Sequence, residues 1–195
     1  MSDNKLDEAG LERLLNHLLN GGVHGLFLLG TTGEGTSLNY TLRRELVKKA
    51  CRLVNKKVPV LAGITDTVFE NSLQMAEAYK DAGADMLVVA PPCYNPMSQD
   101  EIRHYLDDLA PRLPLPFLLY NIPSHTKNSL SVELVKHASE LDATGIKDSS
   151  GDITHILALV EAFKDSADFA ILTGTETLIS DTLSCGGHGA VPGGA

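Results

Sequence analysis

Two short apolar segments of the sequence each end in a side chain that is capable of chemistry. Lys147 ends the segment Ala143 to Lys147, and Tyr120 ends the segment Pro116 to Tyr120. Burying a lysine lowers its pKa toward the range in which the free amine attacks a carbonyl carbon. A phenol nearby could relay protons between the lysine nitrogen and a substrate oxygen. Position alone leaves a structural alternative open for each residue. Lys147 would pair with Asp148 or reach solvent, and Tyr120 would only pack in a wall of the fold.

A turn rich in glycine and threonine follows an earlier apolar segment. Residues 30–35 read Gly-Thr-Thr-Gly-Glu-Gly, so Thr31 and Thr32 offer two hydroxyls among backbone amides that glycine leaves accessible. Such a set suits a carboxylate or another small oxyanion. An ordinary turn whose threonines cap the next helix is the alternative. The turn lacks the Gly-Lys-Ser/Thr ending of a nucleotide-phosphate loop.

Composition limits the classes of protein that the 195-residue sequence can represent. Its 16 Lys and Arg against 25 Asp and Glu give a net charge of −9, which argues against a nucleic-acid partner. Hydrophobic residues make up 43%, which is typical of a chain with a real core, and the length favours a single domain over 1–195. Three widely spaced cysteines, an acidic N-terminus and the lack of a long apolar run predict a cytoplasmic protein without a membrane partner.

Short apolar strands alternate with amphipathic helices along the chain. Strands are predicted over 24–29, 58–63, 86–90, 116–120, 143–147, 169–172 and 187–192. Helices are predicted over 11–19, 41–54, 72–82, 99–109, 132–140, 153–163 and 176–185. This spacing is typical of βαβ units with a parallel sheet, either a β/α barrel or a doubly wound open sheet. The number of strands, and the lack of a dinucleotide fingerprint after the first one, favour the barrel.

Three motifs in this order resemble the dihydrodipicolinate synthase / N-acetylneuraminate lyase family of class I aldolases. They are Gly-Thr-Thr-Gly-Glu over 30–34, Tyr-Asn-Ile-Pro over 120–123 and Gly-Ile-Lys-Asp over 145–148. The resemblance runs over nearly all of the chain. It implies a (β/α)8 TIM barrel, an α/β fold, in which a lysine forms a Schiff base with pyruvate or another 2-oxo acid. It implies no metal and no organic cofactor, because the lysine imine is itself the electron sink.

The resemblance also implies roles for individual residues. Lys147 would be the Schiff-base lysine and Tyr120 the proton relay. Thr32, with Thr31 and the turn that begins at Gly30, would hold the substrate carboxylate and link to Tyr120. Tyr94 matches a loop tyrosine that completes a neighbouring subunit's site in many members, so the resemblance implies a homodimer or homotetramer.

The motifs define the substrate less closely than they define the type of reaction. Residues 124–127 read Ser-His-Thr-Lys, whereas the synthases usually resemble Ser-Arg-Thr-Gly there. That arginine grips a substrate carboxylate, and His125 is a shorter donor, so a 2-keto-3-deoxy sugar acid or N-acetylneuraminate type aldolase is as consistent as the synthase. His125 without any role is a further alternative.

Both ends of the sequence depart from the family pattern. The resemblance implies a strand before the first helix and, after the last strand, a helix and a C-terminal helical region, so we expect an incomplete barrel lacking its first strand, most of its last strand and those helices. An active lyase is therefore one hypothesis. A catalytically impaired member that binds 2-oxo acids or acts as an assembly partner is a second. A regulatory sugar-acid sensor is a third, although no DNA-binding module supports it.

Overall fold

Seven parallel strands form a single sheet in the computed structural model, which describes residues 5–194. Each strand pairs with the next one along the chain, in the order β1 to β7. The strands are β1 Leu26–Leu28, β2 Val60–Gly63, β3 Met86–Val89, β4 Phe117–Asn121, β5 Ala143–Asp148, β6 Ala170–Thr173 and β7 Gly189–Ala190. All seven predicted strands are therefore confirmed, with ends that lie within two residues of the predicted ones.

Helices connect successive strands on one side of the sheet. They are α1 Glu8–Asn20, α2 Tyr40–Val54, α3 Phe69–Ala82, α4 Gln99–Leu109, α5 Pro123–Thr126, α6 Val132–Glu140, α7 Ile153–Ala162 and α8 Ile179–Ser184. Short 3₁₀ turns lie at Gly35–Ser37, Ala110–Arg112 and Glu176–Leu178. The last predicted helix is divided, because its first turn, Glu176–Leu178, is 3₁₀ and α8 begins only at Ile179.

The strand order distinguishes the two architectures that the sequence left open. A doubly wound sheet reverses its strand order at a switch point, whereas this order runs in sequence from β1 to β7 without reversal. A curled parallel sheet with sequential order and outer helices is that of a TIM-type barrel. The predicted barrel class is confirmed, and within residues 5–194 the sheet has seven strands.

The two faces of the sheet pack against different layers. Toward the helices, the core is built from fully buried side chains such as Val47, Tyr79, Leu106, Leu134 and Ile156. The opposite, concave face carries a second cluster centred on Val88, Ala90, Leu118, Tyr120 and Ile122. Strands buried on both faces read as continuous apolar runs, which is why they were recognisable from the sequence.

No helix within residues 5–194 is long and apolar enough to cross a bilayer.

Candidate active site

Lys147 lies near the carboxyl end of β5 with its side chain on the concave face. It is 8% exposed, and its Nζ lies 4.6 Å from the ring centroid of Tyr120 and 5.0 Å from that of Phe27. Successive side chains of a strand point to opposite faces, so Asp148 is turned away from it. The alternative of a lysine paired with Asp148 is therefore wrong, since the carboxylate oxygens of Asp148 bind Asn121, Ser150 and His155.

Burial makes the Lys147 amine unusually easy to deprotonate. Loss of solvent lowers the pKa of Lys147 from 10.5 to about 8, and the negative charge of Glu176 opposes this change. An amine with this pKa is about one-tenth free base at pH 7, far more than an ordinary lysine, and the free base is the form that a nucleophile requires. Glu176 is itself kept anionic, because backbone amides, including those of Gly193 and Gly194, lower its pKa.

Tyr120 links the lysine to the glycine-rich turn. Residue pairing between β4 and β5 places Tyr120 directly beside Lys147. The Tyr120 hydroxyl lies 3.5 Å from the Thr31 Oγ1, and either oxygen can donate. The Tyr120 ring packs edge-on against Phe27 with a centroid distance of 5.6 Å, which leaves the hydroxyl directed toward the turn. Tyr120 therefore contacts the Lys147 amine through its ring face and the Thr31 hydroxyl through its own hydroxyl.

A cavity of about 270 Å³ opens beside Tyr120 and Thr31, and Lys147 is not among the residues that line it. Its lining includes Gly30, Thr31, Tyr120 and His125, four of the predicted site residues. Arg43 also lines the cavity and was missed from the sequence. The Arg43 side chain comes from α2 rather than from a strand end, so no strand-end rule could have found it.

Thr32 and Tyr94 lie differently from the other predicted residues. The hydroxyl near Tyr120 belongs to Thr31, and the predicted link from Thr32 is therefore corrected, since Thr32 lies against Gly193 instead. Tyr94 is 76% exposed, has a positive φ of 87° and contacts the Lys127 ammonium at 5.8 Å from its ring centroid. The structure thus places Tyr94 outside this cavity.

Two glycines leave room for the lysine and its aromatic neighbour. A Cβ at Gly30 would lie 3.0 Å from the Phe27 ring, and one at Gly174 would lie 2.6 Å from Cε of Lys147 and 2.0 Å from the Ser149 hydroxyl. Gly174 follows β6 and was not identified from the sequence. Its role is to let the lysine side chain pass close to the backbone of the next strand.

We expect Gly174→Ala to displace the Lys147 side chain, because its methyl group overlaps Cε. A displacement of about 1 Å at a reacting atom can cost about 10²-fold in rate. The family resemblance implies that pyruvate and borohydride label Lys147, and the rate of that labelling is the measurement. Gly25→Ala is the matched control, since its Cβ would meet only ordinary contacts at 3.5 Å or more. Equal labelling rates in the two variants would contradict the expectation.

A parallel barrel sheet with a buried lysine on its concave face places the chain among the β/α-barrel proteins. Comparison with known proteins identifies the family within that class. The profile of the dihydrodipicolinate synthetase family matches residues 1–194, and the chain belongs to that family. The 4-hydroxy-tetrahydrodipicolinate synthase of Methanococcus aeolicus is 30% identical over 188 residues, which are 95% of this chain and 64% of that protein.

Solved structures show the same relationship. Dihydrodipicolinate synthase from Bacteroides thetaiotaomicron superposes with a TM-score of 0.95 at 42% identity, covering 100% of this chain and 66% of that one. YagE of Escherichia coli, solved in complex with pyruvate, superposes with a TM-score of 0.94 at 31% identity, covering 98% and 65%. The chain thus spans about two-thirds of the length of these proteins.

Proposed function

We propose that the protein is a Schiff-base lyase or aldolase that acts on pyruvate or another 2-oxo acid. The observation that carries the proposal is the buried Lys147 amine, whose pKa burial lowers to about 8, directly beside the Tyr120 phenol. A low-pKa amine is the nucleophile that imine chemistry needs. The pyruvate bound in the structure of YagE supports a 2-oxo acid as the substrate class.

Each step of the proposed reaction uses a residue of the site. The neutral Lys147 amine adds to the substrate's C2 carbonyl, and water leaves as the protonated imine forms. The imine withdraws electrons from the C2–C3 unit, so the bond between C3 and the aldehyde-derived carbon can form or break. Tyr120 carries protons between the lysine nitrogen, the departing oxygen and the Thr31 hydroxyl. This chemistry requires neither a metal nor an organic cofactor.

The glycine-rich turn is proposed to hold the substrate carboxylate. Gly30 and Thr31 line the cavity within reach of Tyr120, and turn amides suit an oxyanion. In this arrangement Thr32 offers its backbone amide to the carboxylate, and its hydroxyl takes no part in the proton relay. Carboxylate binding by the turn and imine formation by β5 would thus fix both ends of a 2-oxo acid.

Replacing Thr31 by valine is expected to lower turnover by about 10-fold to 100-fold, since within residues 5–194 it removes the only hydroxyl at hydrogen-bond distance from the Tyr120 phenol. Thr32→Val is the matched control, because it removes a neighbouring hydroxyl that lies against Gly193. The ratio of the two kcat values is the measurement. A larger loss in Thr32→Val would restore the relay role first predicted for Thr32.

The second substrate is proposed to lie at the open side of the cavity near His125. His125 is exposed, lines the cavity and shares a 2.9 Å hydrogen bond between its Nδ1 and the Ser124 hydroxyl. This pair can bind hydroxyl groups of a sugar-acid aldehyde or one carboxylate of a synthase substrate. Both reactions therefore remain within the proposal.

The proposal is tested by assaying carbon–carbon bond turnover in both directions. The purified chain is incubated with a panel of 2-keto-3-deoxy sugar acids, and pyruvate release is followed. In parallel, pyruvate consumption is followed with a panel of small aldehydes. We expect turnover with at least one substrate and none in Lys147→Arg. Pyruvate binding without any turnover would favour the 2-oxo acid binder, and neither binding nor turnover would refute the function.

Tyr94 supports a further part of the proposal, association between copies of the chain. A tyrosine that is 76% exposed at positive φ is held outside its own cavity, where another subunit could receive it. Homodimers or homotetramers are therefore proposed. Light scattering on a size-exclusion column, for wild type and Tyr94→Ser, tests this, and a monomeric wild type would contradict it.

A further inference from the structure

The carboxylate of Asp148 is fully buried on the face of β5 opposite Lys147. It is 0% exposed and accepts four hydrogen bonds. Oδ2 accepts from Asn121 Nδ2 at 2.6 Å and from His155 Nδ1 at 3.0 Å. Oδ1 accepts from the Ser150 amide at 2.9 Å and the Ser150 hydroxyl at 2.6 Å. All four acceptor directions of the carboxylate are therefore used.

These contacts keep Asp148 ionised despite its burial. Burial alone would raise the pKa of Asp148, but the hydrogen bonds, with that from His155 the largest, lower it. A buried charge is costly unless it is paired and fully hydrogen-bonded. Three charged side chains are buried within residues 5–194, namely Asp66, Lys147 and Asp148. Two of the three are sequence neighbours at the end of one strand, which concentrates this cost at the candidate active site.

The cluster ties together the two strand ends that carry the reactive groups. Pairing between β4 and β5 sets Tyr120 beside Lys147 on the concave face and Asn121 beside Asp148 on the convex face. A side-chain link across the convex pair therefore constrains the concave pair one residue away. The side-chain oxygen of Asn121 is also hydrogen-bonded, since Oδ1 accepts from the Leu130 amide at 3.1 Å.

His155 connects the cluster to the helix that follows β5. It lies in the first turn of α7, where Asp152 already caps the helix by accepting from the Thr154 amide, so His155 is not required as a cap. The hydrogen bond to Asp148 raises the pKa of His155, and Asp152 acts in the same direction. The other ring nitrogen, Nε2, is buried and makes no hydrogen bond of good geometry in the described part of the chain, although the Leu130 backbone lies close enough to raise the pKa of His155 as well.

We propose that Asn121, Asp148 and His155 are positioning residues that hold Lys147 against Tyr120 from the opposite face of the sheet. The three are called the convex cluster below. The effect on catalysis rests on the proposed function. The convex cluster touches no substrate, and it acts by fixing the backbone from which the lysine and the phenol project. Its loss lets β5 shift relative to β4 and admits water to the Lys147 amine.

His155→Phe and His155→Asn separate this role from simple packing. Phenylalanine fills the space of the imidazole but cannot donate to Asp148. Asparagine is smaller but carries a side-chain NH₂ close to the position of Nδ1. His137→Phe is the matched control, because it removes a different histidine–aspartate pair, His137 Nε2 to Asp107 Oδ1 at 2.6 Å, which joins two helices away from Lys147.

Two readouts are measured on each folded variant. The first is the rate at which pyruvate and borohydride label Lys147, as a function of pyruvate concentration. For His155→Phe we expect the maximal rate to fall about 10-fold to 100-fold with little change in the half-saturating concentration, because the turn that holds the carboxylate is untouched. His155→Asn is expected to recover most of the rate, and His137→Phe to match wild type.

The second readout needs no substrate and separates this proposal from the proposed function. Competitive acetylation followed by peptide mass spectrometry gives the pKa of Lys147 directly. His155→Phe should raise the pKa of Lys147 by about one unit, because water then reaches the amine. His155→Asn should leave that pKa unchanged. If wild type fails to react with pyruvate but this shift is seen, the proposed function fails and the positioning role stands.

The proposal is overturned if His155→Phe is folded and matches wild type in both readouts. It is also overturned if His155→Asn is as impaired as His155→Phe, because packing rather than hydrogen bonding would then be the cause. Should His155→Phe not fold, Ser150→Ala removes the hydroxyl hydrogen bond to Oδ1 and keeps the backbone one, and it also removes the acceptor of the Asp152 amide at 3.1 Å. A measurable fall in the Lys147 labelling rate in Ser150→Ala supports the proposal, and an unchanged rate contradicts it.

Discussion

Replacing Lys147 by methionine is expected to abolish turnover and, at the same time, to stabilise the protein. Loss of the nucleophile should lower kcat by about 10³-fold or more. Methionine fills a similar volume without a charge that burial disfavours. One unit of pKa shift corresponds to about 1.4 kcal/mol, and partial contact with solvent reduces the total, so we expect a gain of about 1–3 kcal/mol in the free energy of unfolding at pH 7.

The stability difference should depend on pH in a defined direction. The pKa of Lys147 is about 8 in the folded chain against 10.5 for the ordinary side chain. Between these values the unfolded chain binds one more proton than the folded one, so the stability of wild type rises with pH. The advantage of Lys147→Met is therefore greatest below about pH 8 and disappears toward pH 10.5. Urea unfolding at several pH values measures it.

Lys136→Met is the control for this prediction. Lys136 lies exposed on α6, and we expect its replacement to change the free energy of unfolding by no more than about 0.5 kcal/mol at any pH. A Lys147→Met protein that is less stable than wild type at pH 7 would show that the lysine charge is stabilised in place. That result would remove the basis for a neutral, nucleophilic amine.

Tyr120→Phe is expected to lower turnover by about 10²-fold to 10³-fold while leaving the fold intact. The ring contacts with Phe27 and Lys147 survive, and only the hydroxyl near Thr31 is lost. A positioned proton-transfer group contributes rate accelerations of this size. Borohydride should still label Lys147 with pyruvate, although more slowly, because the amine itself is present.

Tyr79→Phe provides a matched control for the loss of a phenol hydroxyl. Tyr79 is fully buried in the helix-facing core, and its hydroxyl has no hydrogen-bond partner within residues 5–194. Removing it should leave turnover unchanged and the stability equal or slightly higher. Equal kcat values for the two variants would mean that Tyr120 serves only as a wall of the cavity.

The strands were predictable because each is a continuous apolar run between helices with regular amphipathic spacing. The helix boundaries were less so. The segment 123–126 forms the short helix α5 after Ile122, and a four-residue helix leaves too few positions for any periodicity to register. The helix α3 begins at Phe69 without a side-chain cap, so no capping residue marked its start ahead of the predicted Ser72.

The positions of Lys147 and Tyr120 side by side at the strand ends were predictable from strand ends and motif order, but the other contacts of the candidate site were not. Thr31 and Thr32 are adjacent and chemically identical, and only the backbone path of the turn decides which hydroxyl reaches Tyr120. Asp148 next to Lys147 suggested an ion pair, whereas the alternation of the strand sends it to the opposite face, where it binds His155 from a later helix. Such long-range partners leave no local pattern in the sequence.

Site-resolved mass spectrometry of the chain treated with pyruvate and borohydride tests the central claim most directly. The predicted result is one reduced pyruvate imine per chain, located on the peptide that contains Lys147, with labelling that increases as the pH rises through about 8. Unmodified Lys147, or label spread over exposed lysines at the rate seen in Lys147→Met, would contradict the claim.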